Sequence, residues 1–135
     1  WADRTGLREA DHAALPVERA SADVYVEGWA LGHAVLDAAA GATGVTRAVT
    51  DRVEALVEEA RRVTRSGGTV IIIETLGTNV GTPAPPLPEL AQFYRLLESR
   101  HGFTREEIRT DFRFSSPAEA AELCGYFFGA RMGGP

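Results

Sequence analysis

Hydrophobic and polar positions alternate along this chain with two different periods, and the change of period marks out its elements. Ala22 to Glu27 is short, β-branched and aromatic, and Thr69 to Glu74 is continuously apolar until its last residue. Both segments predict strands. The unbroken Val70 to Ile73 run predicts burial on both faces, the state of a central parallel strand between helices. Between the two, Val49, Val53, Leu56, Val57, Ala60 and Val63 recur at three- and four-residue steps. That spacing gives one apolar stripe on a helix that ends before Gly67-Gly68.

A second stripe, Leu90, Phe93, Tyr94 and Leu97, predicts a helix after the proline-rich loop from Gly77 to Pro88, with Gly102 placed to terminate it. From Glu107 to Phe114, Ile108, Thr110, Phe112 and Phe114 alternate with Arg109, Asp111 and Arg113. This predicts a strand with one buried and one wet face. Ser116-Pro117-Ala118-Glu119 reads as a capping box with proline at the first helical position, opening a helix through Leu123, Cys124 and Phe127. Strand, helix, strand in this order predicts an α/β fold: a Rossmann-like, mostly parallel sheet with helices on both faces, in a single domain over residues 1–135. Ligands of such folds sit beyond the carboxyl ends of the strands, which directs attention to Asp11–Ala14, Glu27–His33, Glu74–Thr78 and Ser115.

Composition narrows the chemistry. Of 135 residues 44% are hydrophobic and 24% charged, the balance of a globular domain with a core. The formal net charge of −5 is spread along the chain without a basic block, which argues against nucleic acid as a partner. No apolar run approaches the roughly 20 residues of a membrane span. Cys124 is the single cysteine, so an internal disulfide and a cysteine-rich zinc site are excluded and a cytoplasmic location is expected. The chain opens on Trp1 rather than Met. It is therefore expected to continue a longer polypeptide.

Three segments in order resemble the small-molecule class I S-adenosylmethionine-dependent methyltransferases of the type 11 kind. Leu7 to Pro16 resembles the family's third strand and the Asp-Ala-x-x-Leu-Pro loop after it. Ala22 to His33 resembles the fourth strand and the turn that follows, and Val63 to Glu74 resembles the Gly-Gly turn into the fifth strand. The resemblance covers most of the chain and implies the carboxy-terminal portion of that fold. The family's first-strand Gly-x-Gly loop, and the acidic residue that ends its second strand, have no counterpart here and are expected upstream of Trp1. On its own the segment is expected to bind the cofactor poorly.

The resemblance implies S-adenosylmethionine as cofactor and a small-molecule acceptor as partner. Asp11 corresponds to the family's acceptor for the adenine amino group, with His12 and Ala13 beside it; a turn or helix cap is the plainer role for Asp11. Glu27, Gly28 and Trp29 correspond to the lining of the sugar and methionine portion, Gly28 through close approach and Trp29 as an apolar wall or as packing under the next helix. His33 is the candidate general base, although methyl transfer to a nucleophilic acceptor needs chiefly alignment. Glu74 and Thr78 are placed to face the acceptor, with a tie to a helix amino terminus the alternative for Glu74. Arg109 is a candidate for an anionic acceptor, against the plain reading of a solvated face. No metal is implied. Cys124 reads as a buried inert thiol, and Met132 with Phe127-Phe128 as packing or partner-contact residues, which leaves a homodimer open.

Two other readings compete with the enzyme. In one, the same fold is a non-catalytic binding or assembly module. The other is a nicotinamide-dependent Rossmann enzyme, which the complete absence of lysine disfavours, because all 14 basic residues are arginine and no Tyr-x-x-x-Lys pair exists.

Overall fold

A computed structural model describes residues 6–43, 45–77 and 80–129. The chain divides into two compact units, one running to residue 104 and the other from 105. The first contains β1 (Ala22–Gly28), α1 (Leu31–Ala39), α2 (Val45–Val63), β2 (Thr64–Ile73) and α3 (Pro88–Ser99). The second contains α4 (Pro117–Phe128). The architecture is α/β, and β1 and β2 form a two-stranded parallel sheet. Parallel pairing demands a long crossover, which α1 and α2 supply.

The apolar stripe of α2 is the centre of the first unit. Val49, Val53, Leu56, Val57 and Val63 are at most 1% exposed, and the first four cluster with Leu31 and Val35 of α1 and Phe93 of α3. Burying each such side chain contributes roughly 1.5–3 kcal/mol relative to leaving it in water. The three helices pack on one another, and α2 touches both strands. Helix α3 stops where Gly102 takes a positive φ of 71° and Phe103 N–H returns to Leu97 O at 3.0 Å. Only a residue without a Cβ adopts that left-handed turn cheaply.

Sequence expectation and structure part at four places. First, β2 begins at Thr64, directly after α2, and Gly67-Gly68 lies inside it. There Ala22 pairs with Thr64 but Val24 with Thr69, so the extra residues bulge out, and a Cβ on Gly68 would stand 2.7 Å from Asp23 O. Glycine is obligatory at that approach. Second, the Val70–Ile73 run is covered on one face only. Val70 and Ile72 turn toward the helices with Tyr25 and Glu27, whereas Val24, Val26, Ile71 and Ile73 are 41–57% exposed. A four-residue apolar run does not say which layers the chain supplies, and α1, α2 and α3 of the first unit pack on one another.

Third, residues 107–114 form no strand. Ile108 and Phe112 are 80% and 82% exposed, so the alternating pattern has no buried face. A strand exists only through a partner for its backbone groups, and the described residues supply none. Fourth, residues 6–10 are irregular, with Leu7 fully outside the core, so the strand implied by resemblance before Asp11 is absent. In the second unit the capping box forms. Ser116 Oγ accepts Glu119 N–H at 3.2 Å, Pro117 opens the helix, and Glu119 Oε2 accepts the Ser115 N–H at 2.7 Å. Met132 and Gly133 to Pro135 lie outside the described residues.

Candidate functional site

The carboxyl ends of β1 and β2 carry most of the chemistry-bearing residues. After Gly28 the chain turns through Trp29, whose φ of 55° is in the left-handed region. For a bulky aromatic this costs roughly 1–2 kcal/mol. In return, Trp29 N–H bonds Ile73 O at 2.9 Å, which extends the parallel ladder by one bond and starts α1 directly above the sheet. The Trp29 indole is 62% exposed on this rim and does not pack beneath the helix. Beside Gly28 the space is open, since a Cβ there would meet nothing within 4 Å.

Glu74 follows β2 and is half-buried. Its Oε1 accepts Gly32 N–H of the first turn of α1 at 2.7 Å, the tie to a helix amino terminus that acidic residues at strand ends favour. Burial pushes its carboxyl above the ordinary range, and the Glu27 charge adds to that. The Gly32 N–H and then His33 pull the other way. His33 itself is exposed in the first turn of α1. Glu27, on the covered face of β1, receives His12 Nδ1 at 2.7 Å.

Asp11 stands on the same side, at the head of a tight turn. Its Oδ1 accepts Ala13 N–H at 2.7 Å and Arg52 Nη2 at 3.1 Å, while Asp11 O accepts Ala14 N–H at 2.9 Å. The Ala13 bond is the main reason its carboxyl is held below the usual range, with Arg52 contributing. The turn role foreseen for Asp11 is thus realised, and one carboxylate oxygen is committed to it. Ala13 packs on the core and His12 reaches Glu27, so this short loop connects the first segment to β1. Beneath it, Glu59 and Arg62 of α2 clamp the chain: Glu59 Oε1 accepts Leu15 N–H at 2.6 Å, and Arg62 donates to Leu15 O and Val17 O at 3.0 Å each.

Two tyrosines floor the rim. Tyr94 donates to Thr75 O at 2.8 Å, and burial, helped by the Glu74 charge, pushes its phenol up to about 12. Burial also pushes Tyr25 up to about 12, with Glu27 and Glu59 adding to it. The site therefore gathers His12, Glu27, Gly28, Trp29, His33 and Glu74, with Asp11 and Ala13 along its margin. Thr78 lies outside the described residues. Arg109 belongs to the second unit, where its Nε donates to Asp111 at 2.9 Å. Tyr25, Tyr94 and Arg52 were not anticipated as site residues, and Gly32 only as part of the Glu27–His33 segment. Gly32 alone had a sequence signal, a glycine in the first helical turn after a strand, opposite an acid that ends the next one.

Among the described residues no group of three His, Cys, Asp or Glu side chains is placed to hold a metal ion. No helix among them is long and apolar enough to cross a membrane. The chain matches no known family, no curated protein and no solved structure.

Proposed function

We propose that this chain is part of an S-adenosylmethionine-dependent methyltransferase acting on a small-molecule acceptor, with its site at the carboxyl rim of β1 and β2. The observation that carries the reading is the meeting of the half-buried Glu74, Glu27 and the exposed Trp29 indole beside the open space at Gly28. A sulfonium cation suits that donor set, because carboxylates in partly desolvated surroundings attract positive charge more strongly than they do in water. The residues present thus fit the charged, methyl-bearing end of the cofactor.

Bound there, S-adenosylmethionine supplies a methyl group on a positively charged sulfur, ready for attack by an acceptor nucleophile. Glu27 and Glu74 hold the positive end, and the Gly32 bond keeps Glu74 from swinging away. Trp29 offers a flat apolar face. Asp11 keeps Oδ2 as an acceptor for an amino group. His33 is the imidazole on this rim able to take a proton from an acceptor hydroxyl. Orientation accounts for most of the remaining rate.

A second reading, a non-catalytic binding module, draws on the self-sufficiency of the same groups. Asp11 Oδ1 is taken by Ala13 and Arg52, Glu27 by His12, and no buried side-chain polar atom among the described residues lacks a partner.

Calorimetry separates the two. The methyltransferase reading expects S-adenosylmethionine to bind weakly but saturably to this segment, and the Glu27→Gln/Glu74→Gln double variant to lose affinity for it more than for the uncharged demethylated product. Equal loss for both ligands, or no binding of either, contradicts it.

A further inference from the structure

At the far end of β2 from Glu74, where α2 runs into the strand, a cleft of about 330 Å³ opens between Arg61, Thr64, Arg65, Val70, His101 and Phe103. The bulge at Gly67-Gly68 shortens β2 to the seven-residue span of β1, so its two ends lie about 20 Å apart. The cleft is therefore independent of the methyl-transfer reading.

Its lining is cationic on one side and apolar on the other. Arg61 projects from the last turn of α2, and the bond it makes is to a carbonyl: Nη2 donates to His101 O at 2.6 Å. Arg61 is otherwise exposed and lines the cleft, and no carboxylate among the described residues forms an ion pair with it. Arg65 gives Nε to Asp23 and Nη1 to Ser66 O, which leaves Nη2. Val70 and Phe103 are half-buried walls. His101 sits between, with Arg61 and Arg100 near it and Glu54 and Glu58 of α2 on its other side. Burial first, then the Arg61 charge, holds its imidazole below the ordinary value.

We propose that this cleft binds a small organic oxyanion, a carboxylate or phosphate on an aromatic or other apolar body. Arg61 and Arg65 hold the charge, and Val70 and Phe103 hold the body. Guanidinium forks match the geometry of both oxyanions. The volume lies at the small end of the range for small-molecule sites, enough for a ring and its acid but not for a dinucleotide.

The test is an amide-resolved NMR titration of the full chain with phenyl phosphate, benzoate and inorganic phosphate in turn. The proposal expects saturable shifts at residues 61–70 and 101–103 with phenyl phosphate or benzoate, whichever arm saturates first naming the acid. It also expects the His101 titration midpoint to rise when the cleft is filled, because the anion offsets Arg61 and Arg100. Arg61→Gln and Arg65→Gln should each weaken binding about tenfold, the scale of one lost charge-assisted bond. Arg47→Gln, at the other end of α2, should change nothing. The wild-type His101 titration needs no variant and stands even if a substitution unfolds the chain. The proposal is overturned by the absence of saturable shifts with both aromatic acids, or by inorganic phosphate binding as tightly as phenyl phosphate. Undiminished binding in a folded Arg61→Gln/Arg65→Gln chain would overturn it equally.

Discussion

The Glu74 carboxylate sits over the amino end of α1 at a spacing that a glycine at position 32 leaves open. Its Oε1 accepts Gly32 N–H at 2.7 Å, and a Cβ on Gly32 would stand 2.8 Å from Oε2. This contact couples the end of β2 to the start of the helix that follows β1. It also fixes the half-buried charge on which the proposed site depends.

Because the folded chain holds the Glu74 carboxyl above its ordinary value of 4.5, the folded state binds that proton more tightly than the unfolded state does. Its contribution to stability is therefore full below pH 4.5 and is lost as pH rises through the raised folded value. Glu74→Gln keeps an oxygen for Gly32 and carries no charge. Its melting temperature should match that of the wild type in acid and exceed it increasingly toward neutrality, read by circular dichroism. A gap that stays constant with pH contradicts the assignment.

Glu59 gives the opposite slope. Bonds from Arg62 first, then the Leu15 N–H, hold its carboxyl below 4.5, so its contribution is present above that pH and disappears as the solution is acidified through the folded value. At 7% exposure it is a buried charge holding a loop. Glu59→Ala should cost about 2 kcal/mol at neutral pH, the scale of leaving its buried partners unmet. Hydrogen exchange should locate the damage at the Leu15 amide, with α3 unchanged; uniform loss of protection would mean that the clamp is not local.

The Tyr94 hydroxyl bonds Thr75 O just past Glu74. Tyr94→Phe should destabilise the chain by about 1 kcal/mol, the net worth of one such bond. Ultraviolet titration of the wild type should show Tyr25 and Tyr94 ionising near 12, and the variant should lack one of those two steps. An unchanged late phase in the variant would place Tyr94 in water instead.

In the second unit, Ser116→Ala removes the side-chain cap of α4 and should cost about 1 kcal/mol of helix stability. Helicity measured on the full chain should fall, while the bulkier Thr, which keeps the hydroxyl, should preserve it. Equal helicity in the Ala and Thr variants would refute the capping role.

Local signals were the ones written plainly in the sequence. The α2 and α3 stripes, the Ser116 box and the Gly102 stop each depend on residues within a few positions of one another, and each formed. Helix α1 was visible only as a turn ending at His33, because its nine residues are too few for an apolar stripe to repeat along it. The segment 107–114 misled because alternation describes an extended chain, whereas a strand needs a distant partner. The same non-locality hid the open face at Ile71 and Ile73. At the rim, strand ends and acidic side chains pointed to Glu27 and Glu74, but the Gly32 bond to Glu74, the His12 bond to Glu27 and the Tyr94 bond to Thr75 join positions far apart in sequence. Asp11 was legible both as a turn and as a ligand, and the turn is what its bonds to Ala13 and Arg52 display.

The most direct measurement is an NMR titration of the full chain with S-adenosylmethionine, followed at every amide. The account predicts that shifts saturate and cluster at Asp11–Ala14, Gly28–His33 and Glu74–Gly77. Shifts that never saturate, or that gather away from this rim, contradict it.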